Sequence, residues 1–273
     1  MAVTTLAPWF GSDRLIVDHI GDALKGCEWV GIPFTGGASA VLAIKARTIA
    51  CNDLHRHIIN LCWHVSKDAE WIASELRDTP FHPDSLKYSQ EFCQRMEAVE
   101  EMPDEQTAAD WAYHYFICVW MGRSGNAGTP AEFRGRPAIR WNAGGGDSNV
   151  RFRAAIEALE TFHRAMVDRC TFETLDAFDF LSKCHDKPGH GIYADPPFLD
   201  AGLKYTHGPS KGEQAEWHWT LARRLRQFEH ARVVVRAYDV PLVRELYDGW
   251  EFRELTGRKQ TNDAAPELLI VLN

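Results

Sequence analysis

No stretch of this sequence is apolar for long enough to span a bilayer, which takes about 20 residues, so no membrane is expected as a partner. Basic residues are in deficit. The formal net charge of −8 argues against a surface that is basic throughout, as phosphate binding favours. Residues 1–6 carry neither a basic segment nor a long apolar core, so no secretory signal is expected and a cytoplasmic chain is read. No Cys-x-x-Cys pair occurs. The seven cysteines are scattered and odd in number, which favours reduced packing thiols over a disulfide framework. His55, His57 and His64 lie close together, but no second cluster with ligand spacing accompanies them, and no metal is expected. Also missing are the Gly-x-Gly-x-x-Gly of dinucleotide binders and a phosphate-gripping lysine, which disfavours a phosphorylated cofactor.

What is present is ordinary for a globular protein. An apolar content of 45% over this length suits one large domain, or one domain with a substantial insertion. Short apolar runs at 29–32, 48–51, 171–175, 191–194, 231–236, 251–255 and 268–272 read as about seven strands. Helical patterns alternate with them, which implies a mostly parallel sheet covered on both faces. Residues 54–120 read as helices, and 121–150 as a long loop rich in Gly, Pro and Arg. That loop is either functional or a mobile surface segment.

One stretch carries chemistry. The strand ending at Ala194 runs into Asp195-Pro196-Pro197-Phe198. Two prolines cannot donate ladder hydrogen bonds, so the strand stops and a stiff loop forms at its carboxyl end. Open α/β sheets place ligands there. Asp-Pro-Pro is also a common turn. As a site, it suits methylation of the exocyclic amine of a nucleic-acid base. Asp195 and the carbonyl of Pro196 would each accept one N–H, freeing a lone pair otherwise delocalised into the ring. Phe198 would stack on a base flipped out of the duplex.

A second signal lies upstream. A strand, the loop Pro33-Phe34-Thr35-Gly36-Gly37-Ala38-Ser39, a short helix and a second strand ending in Asn52-Asp53 form a βαβ unit. The acid lies about 20 residues past the loop, the spacing that puts a carboxylate on a ribose diol. Small residues at 36–38 allow close approach of a ligand. A nucleoside without phosphates fits, and S-adenosylmethionine is the obvious cofactor; a plain structural turn is the alternative. Trp9 is either a wall of that cofactor pocket or a cap on a core edge. Asp176, at a strand end before Phe178, either holds the cofactor or caps a helix, and the two roles are compatible. Despite the acidic total, residues 121–153 hold six arginines against Glu132 and Asp147. Arg123, Arg134, Arg136 and Arg140, with Phe133 and Trp141 between them, read as a segment that contacts DNA.

Taken in order, these stretches resemble the DNA adenine N6-methyltransferases of the Dam type. Trp9-Phe10-Gly11, Pro33 to Ser39, Asn52-Asp53-Leu54, Asp176-Ala177-Phe178 and Asp195-Pro196-Pro197-Phe198 match over nearly the whole chain. The resemblance implies a Rossmann-like methyltransferase sheet with a helical, loop-rich DNA-recognition insertion. The catalytic domain would comprise 1–53 and 154–273, and the insertion 54–153. It implies S-adenosylmethionine held by Trp9, Phe34, Gly36, Asp53 and Asp176, with Asp195 facing both cofactor and base, and double-stranded DNA as partner. Localisation would then be at the nucleoid, and a restriction nuclease as partner is not determinable. In the family, Gly-Gly-Lys usually follows the first aromatic; here Gly11-Ser12-Asp13 stands instead, and Phe198 replaces the usual Tyr. Two other readings stay open: the same fold acting on cytosine N4, and a DNA-binding relative without methyl transfer.

Overall fold

The computed structural model describes residues 3–122, 126–137, 148–199, 204–255 and 267–272. The chain divides into two compact units. The sheet unit comprises residues 15–35, 43–54 and 173 onward, and the helical unit comprises the N-terminal residues to 14, 36–42 and 55–172.

Among the described residues seven strands form one sheet: β1 (Trp29–Ile32), β2 (Thr48–Asn52), β3 (Cys170–Glu173), β4 (His190–Ala194), β5 (Arg232–Tyr238), β6 (Glu251–Glu254) and β7 (Glu267–Leu272). Their spatial order is β3-β2-β1-β4-β5-β7-β6. β1 pairs in parallel with β2 and β4, and β4 with β5. The last two strands, β6 and β7, pair with each other and close the sheet, with β7 between β5 and β6 and antiparallel to both. The order reverses direction at β1, where one crossover leads to β2 and the next strand across is β4. In open α/β sheets such a reversal is where the carboxyl ends of strands leave a crevice.

Alternation explains the core of this unit. Ile192 and Ala194 of β4, Val233, Val235 and Ala237 of β5, and Leu268 and Ile270 of β7 meet in one apolar cluster. Covering them are α7 (Ala177–Lys183) through Leu181, α8 (Gln214–Leu225) through Leu221 and Leu225, and α9 (Pro241–Leu246) through Val243 and Leu246. Because strand side chains alternate between faces, Val234, Arg236 and Tyr238 emerge on the opposite face of β5. α1 (Val17–Ala23) completes the unit.

α2 (Ala40–Ala43) follows the glycine loop. The helical unit is built on α3 (Arg56–Asp78), α4 (Pro83–Glu97), α5 (Glu105–Met121) and α6 (Ser148–Met166), with α3 packed on α5 and α6, and α4 on α5. α3 kinks at Asp68, whose carboxylate accepts the Trp71 N–H at 2.9 Å and caps the second half. Asp104 caps α5 in the same way. α6 begins at Ser148, within the stretch expected as loop, and carries Arg151 and Arg153. Among the described residues no helix is long and apolar enough to cross a membrane.

Candidate active site

Ala194 is the last ladder residue of β4, and the chain leaves the sheet at Asp195. With no proline N–H to hold it, the loop is fixed by side chains. Arg236, from the carboxyl half of β5, donates from Nη1 to Oδ2 of Asp195 at 3.0 Å. Its Nε and Nη2 both donate to Oε2 of Glu267, at 3.1 and 2.9 Å. Glu267 opposes Tyr238 in the β5–β7 register and so lies diagonal to Arg236. The guanidinium also lies 5.0 Å from the centre of the Phe198 ring. Phe198 is buried and meets Tyr238 edge-on, with ring centres 4.5 Å apart. Stacking on a base would therefore require this ring to leave Tyr238. His218 in α8 faces the Pro197 carbonyl. Burial holds His218 neutral, down to about 4, although that carbonyl pulls the other way. Two acids act on Tyr205. Burial, with help from the carboxylates of Asp195 and Asp53, keeps its phenol protonated well above the usual range.

Beside this loop is a cavity of about 290 Å³, lined among others by Phe34, Asp53, Leu175, Asp176, His207 and Trp217. Its volume is near the lower end of ligand pockets, roughly 300 Å³. Asn52 assembles it. The buried side-chain amide donates to the carbonyls of Pro33 at 3.1 Å and Leu175 at 3.0 Å, and its oxygen accepts the Leu175 N–H at 2.8 Å. One side chain thus ties together the segments that follow β1, β2 and β3. The Asp53 N–H donates to the Glu173 carbonyl at 3.2 Å, which sets the carboxylate at the cavity wall. Asp176 accepts the Phe178 N–H at 2.8 Å as the cap of α7, and it also lines the cavity. Phe34 and Phe178 flank Trp217 at 6.0 and 5.7 Å. Two carboxylates, aromatic walls and no lining Lys or Arg among the described residues suit a flat heterocycle joined to a diol, and repel a phosphate.

Trp9 and Gly36 belong to the helical unit, where the structure brings them together. A Cβ added to Gly36 would lie 3.2 Å from the Trp9 ring, and one on Gly128, which has φ +80°, only 2.6 Å from it. Trp9 also meets His55 edge-on at 5.1 Å. Gly37 departs from expectation. Its missing side chain makes room for the protein's own N-terminal segment, since a Cβ there would reach 2.6 Å from the Ala7 carbonyl, and Leu6 donates its N–H to the Gly37 carbonyl.

The expected DNA segment is only partly described. Arg134 and Arg136 are exposed; Arg123, Arg140 and Trp141 lie outside the described residues. Phe133 is not a surface contact. It is buried against His57 at 4.8 Å and Tyr115 at 6.2 Å. Glu132 is buried too, bonded to His55 at 2.8 Å and Tyr115 at 2.6 Å. Arg153 donates to the carbonyls of Leu76, Arg77 and Thr79, closing the end of α3.

Arg236 was not foreseen as a site residue, nor was Asn52 as an organiser. The signals were an arginine inside an apolar strand and an amide directly before the acid of a βαβ unit. Comparison with known proteins gives one family: a family model described as D12 class N6 adenine-specific DNA methyltransferase matches residues 9–262. No curated protein matches the chain.

Proposed function

The chain belongs to the D12 class N6 adenine-specific DNA methyltransferase family and methylates adenine N6 in DNA, and we propose the following division of that work among its residues. S-adenosylmethionine is the methyl donor, held in the cavity of Phe34, Asp53 and Asp176. Asp53 accepts from the ribose hydroxyls, while Phe34 and Trp217 sandwich or edge the adenine ring. When bound, the cofactor supplies an electrophilic methyl carbon.

Asp195 and the Pro196 carbonyl accept the two N–H bonds of the target amine. This localises the nitrogen lone pair and aims it, so that the chain's contribution is mainly orientation. His218 keeps the Pro197 end of the loop in place. Phe198, once released from Tyr238, stacks on the flipped base of double-stranded DNA. The helical insertion, 54–153, supplies target recognition, with Arg134 and Arg136, and the sequence-assigned Arg123 and Arg140, on the phosphates. With DNA as substrate, the protein works at the nucleoid.

The observation that carries this reading is the placement, within one unit, of an Asp-Pro-Pro-Phe strand end beside a cavity with two carboxylates and no cation among its described lining. Titration calorimetry with S-adenosylmethionine tests it. Loss of one hydrogen-bonding carboxylate in Asp53→Ala should weaken binding about 10–100-fold. Equal affinity in the variant, or no binding by the wild type with DNA present, would sink the cofactor assignment.

A further inference from the structure

We infer that Arg236 is a positioning residue for methyl transfer, holding Asp195 and Phe198 together from strand β5. The inference rests on the reading of Asp195 as an acceptor for the target amine.

Arg236 is only 3% exposed and stands in a strand whose neighbours are Val233, Val234, Val235 and Ala237. A buried guanidinium is costly even when paired, and an apolar residue of similar volume commonly serves stability as well or better. Packing alone therefore does not explain an arginine here. Its geometry does. The guanidinium is a planar fork with donors on two edges. One edge is pinned by Glu267, which takes both Nε and Nη2 on a single oxygen. That leaves Nη1 aimed at Asp195. The face covers Phe198, and Tyr238, two residues along the same face of β5, abuts the edge of that ring.

Two of the four loop residues are thus held by one strand, at a point where prolines deny the loop any ladder bonds. The charges matter as well. Among the described residues two carboxylates share the one guanidinium, so Asp195 is oriented without having the cation to itself. Glu267 shares the cation and keeps the Asp195 carboxylate an effective acceptor. The titratable groups facing the guanidinium are Asp195, Glu267, Tyr205 and Tyr238.

The test uses the full chain, unmethylated double-stranded DNA of mixed sequence, and S-adenosylmethionine, with N6-methyladenine measured after nucleoside digestion. Arg236→Met alone would strand two partly buried acids, so the informative variant is Arg236→Met/Glu267→Gln, which removes the cation with one of its anions. In that variant kcat is expected to fall about 10²-fold. The KM for DNA and the affinity for S-adenosylmethionine should stay within about threefold, as expected when an interaction serves the transition state rather than binding. The acid limb of the kcat profile should move to higher pH, because Asp195 loses its neighbouring cation. Arg236→Lys keeps the charge without the fork and should fall between the two. A double variant with unchanged kcat and acid limb, or a loss confined to KM, overturns the role of Arg236. If Asp195→Ala is itself fully active on the same DNA, the reading of the loop fails first, and the inference with it.

Discussion

The two units bury charge in different ways. In the helical unit Glu132 bonds His55 and Tyr115, and the Trp111 N–H donates to His57 at 2.5 Å. Burial pushes Glu132 up, but its two partners outweigh this and hold it below the usual carboxylate range. These contacts all lie inside the unit, and they fasten α3 to α5 and to the segment that carries Phe133. In the sheet unit Arg236 serves two acids at once and touches a loop that leaves the sheet. The first network closes on itself and fastens helices together. The second, at the end of a strand, fastens a loop. Residue type alone does not separate the two cases.

The largest test of that contrast is Asp195→Ala. Methyl transfer should fall by about 10²–10³-fold, the loss typical of removing one group that stabilises developing charge, while thermal unfolding stays unchanged. A destabilised variant would mean that Asp195 belongs to the fold, like Glu132. The reciprocal change is Glu132→Ala, which strands a buried histidine and a tyrosine hydroxyl. It should cost about 3 kcal/mol in denaturant unfolding. Full stability with impaired methyl transfer would reverse the assignment of the two networks.

Protonation sharpens the comparison further. Burial depresses both His57 and His64 to about 4, against about 6.5 in an unfolded chain. The folded state keeps both neutral, so below about pH 6.5 the unfolded state takes up protons first. Stability should fall by about 1.4 kcal/mol per pH unit for each histidine as pH drops toward 4. Urea midpoints at pH 7, 5.5 and 4.5 would measure this, and a flat profile would show that the histidines are hydrated. The smallest effect expected is at the surface. Replacing Arg134 or Arg136 by Ala should lower the salt slope of DNA binding by about 1 each, with no change in unfolding.

Much of this was legible in the sequence. The alternation of short apolar runs with helical patterns gave the seven strands, and paired prolines marked where β4 ends. Proline stops a ladder wherever it falls, so that signal is local. Other features depend on partners distant in the chain. Arg236 reads as a break in an apolar run until β7 brings Glu267 beside it. Phe133 looks like a contact residue between arginines, yet α3 and α5 enclose it. Arg153 counted toward a local basic patch, whereas it closes the end of α3. Gly37 has the composition of a ligand loop, but residues 5–7 take the space. In each case a residue's neighbours along the chain predicted one environment and residues far away supplied another.

The register of β1 against β4 has a kinetic consequence. Trp29 pairs with His190, so the central ladder of the sheet joins positions about 160 residues apart, and such long-range pairing slows folding. The helical unit joins segments that lie closer along the chain, α3 with α5 and α6 and α4 with α5, so its loops close at lower entropic cost. Once those helices have docked, much of the intervening chain is no longer free, and the loop that remains to be closed is far shorter. The segment assigned to target recognition would also act during folding, as the clasp that lets the sheet's two central strands find each other.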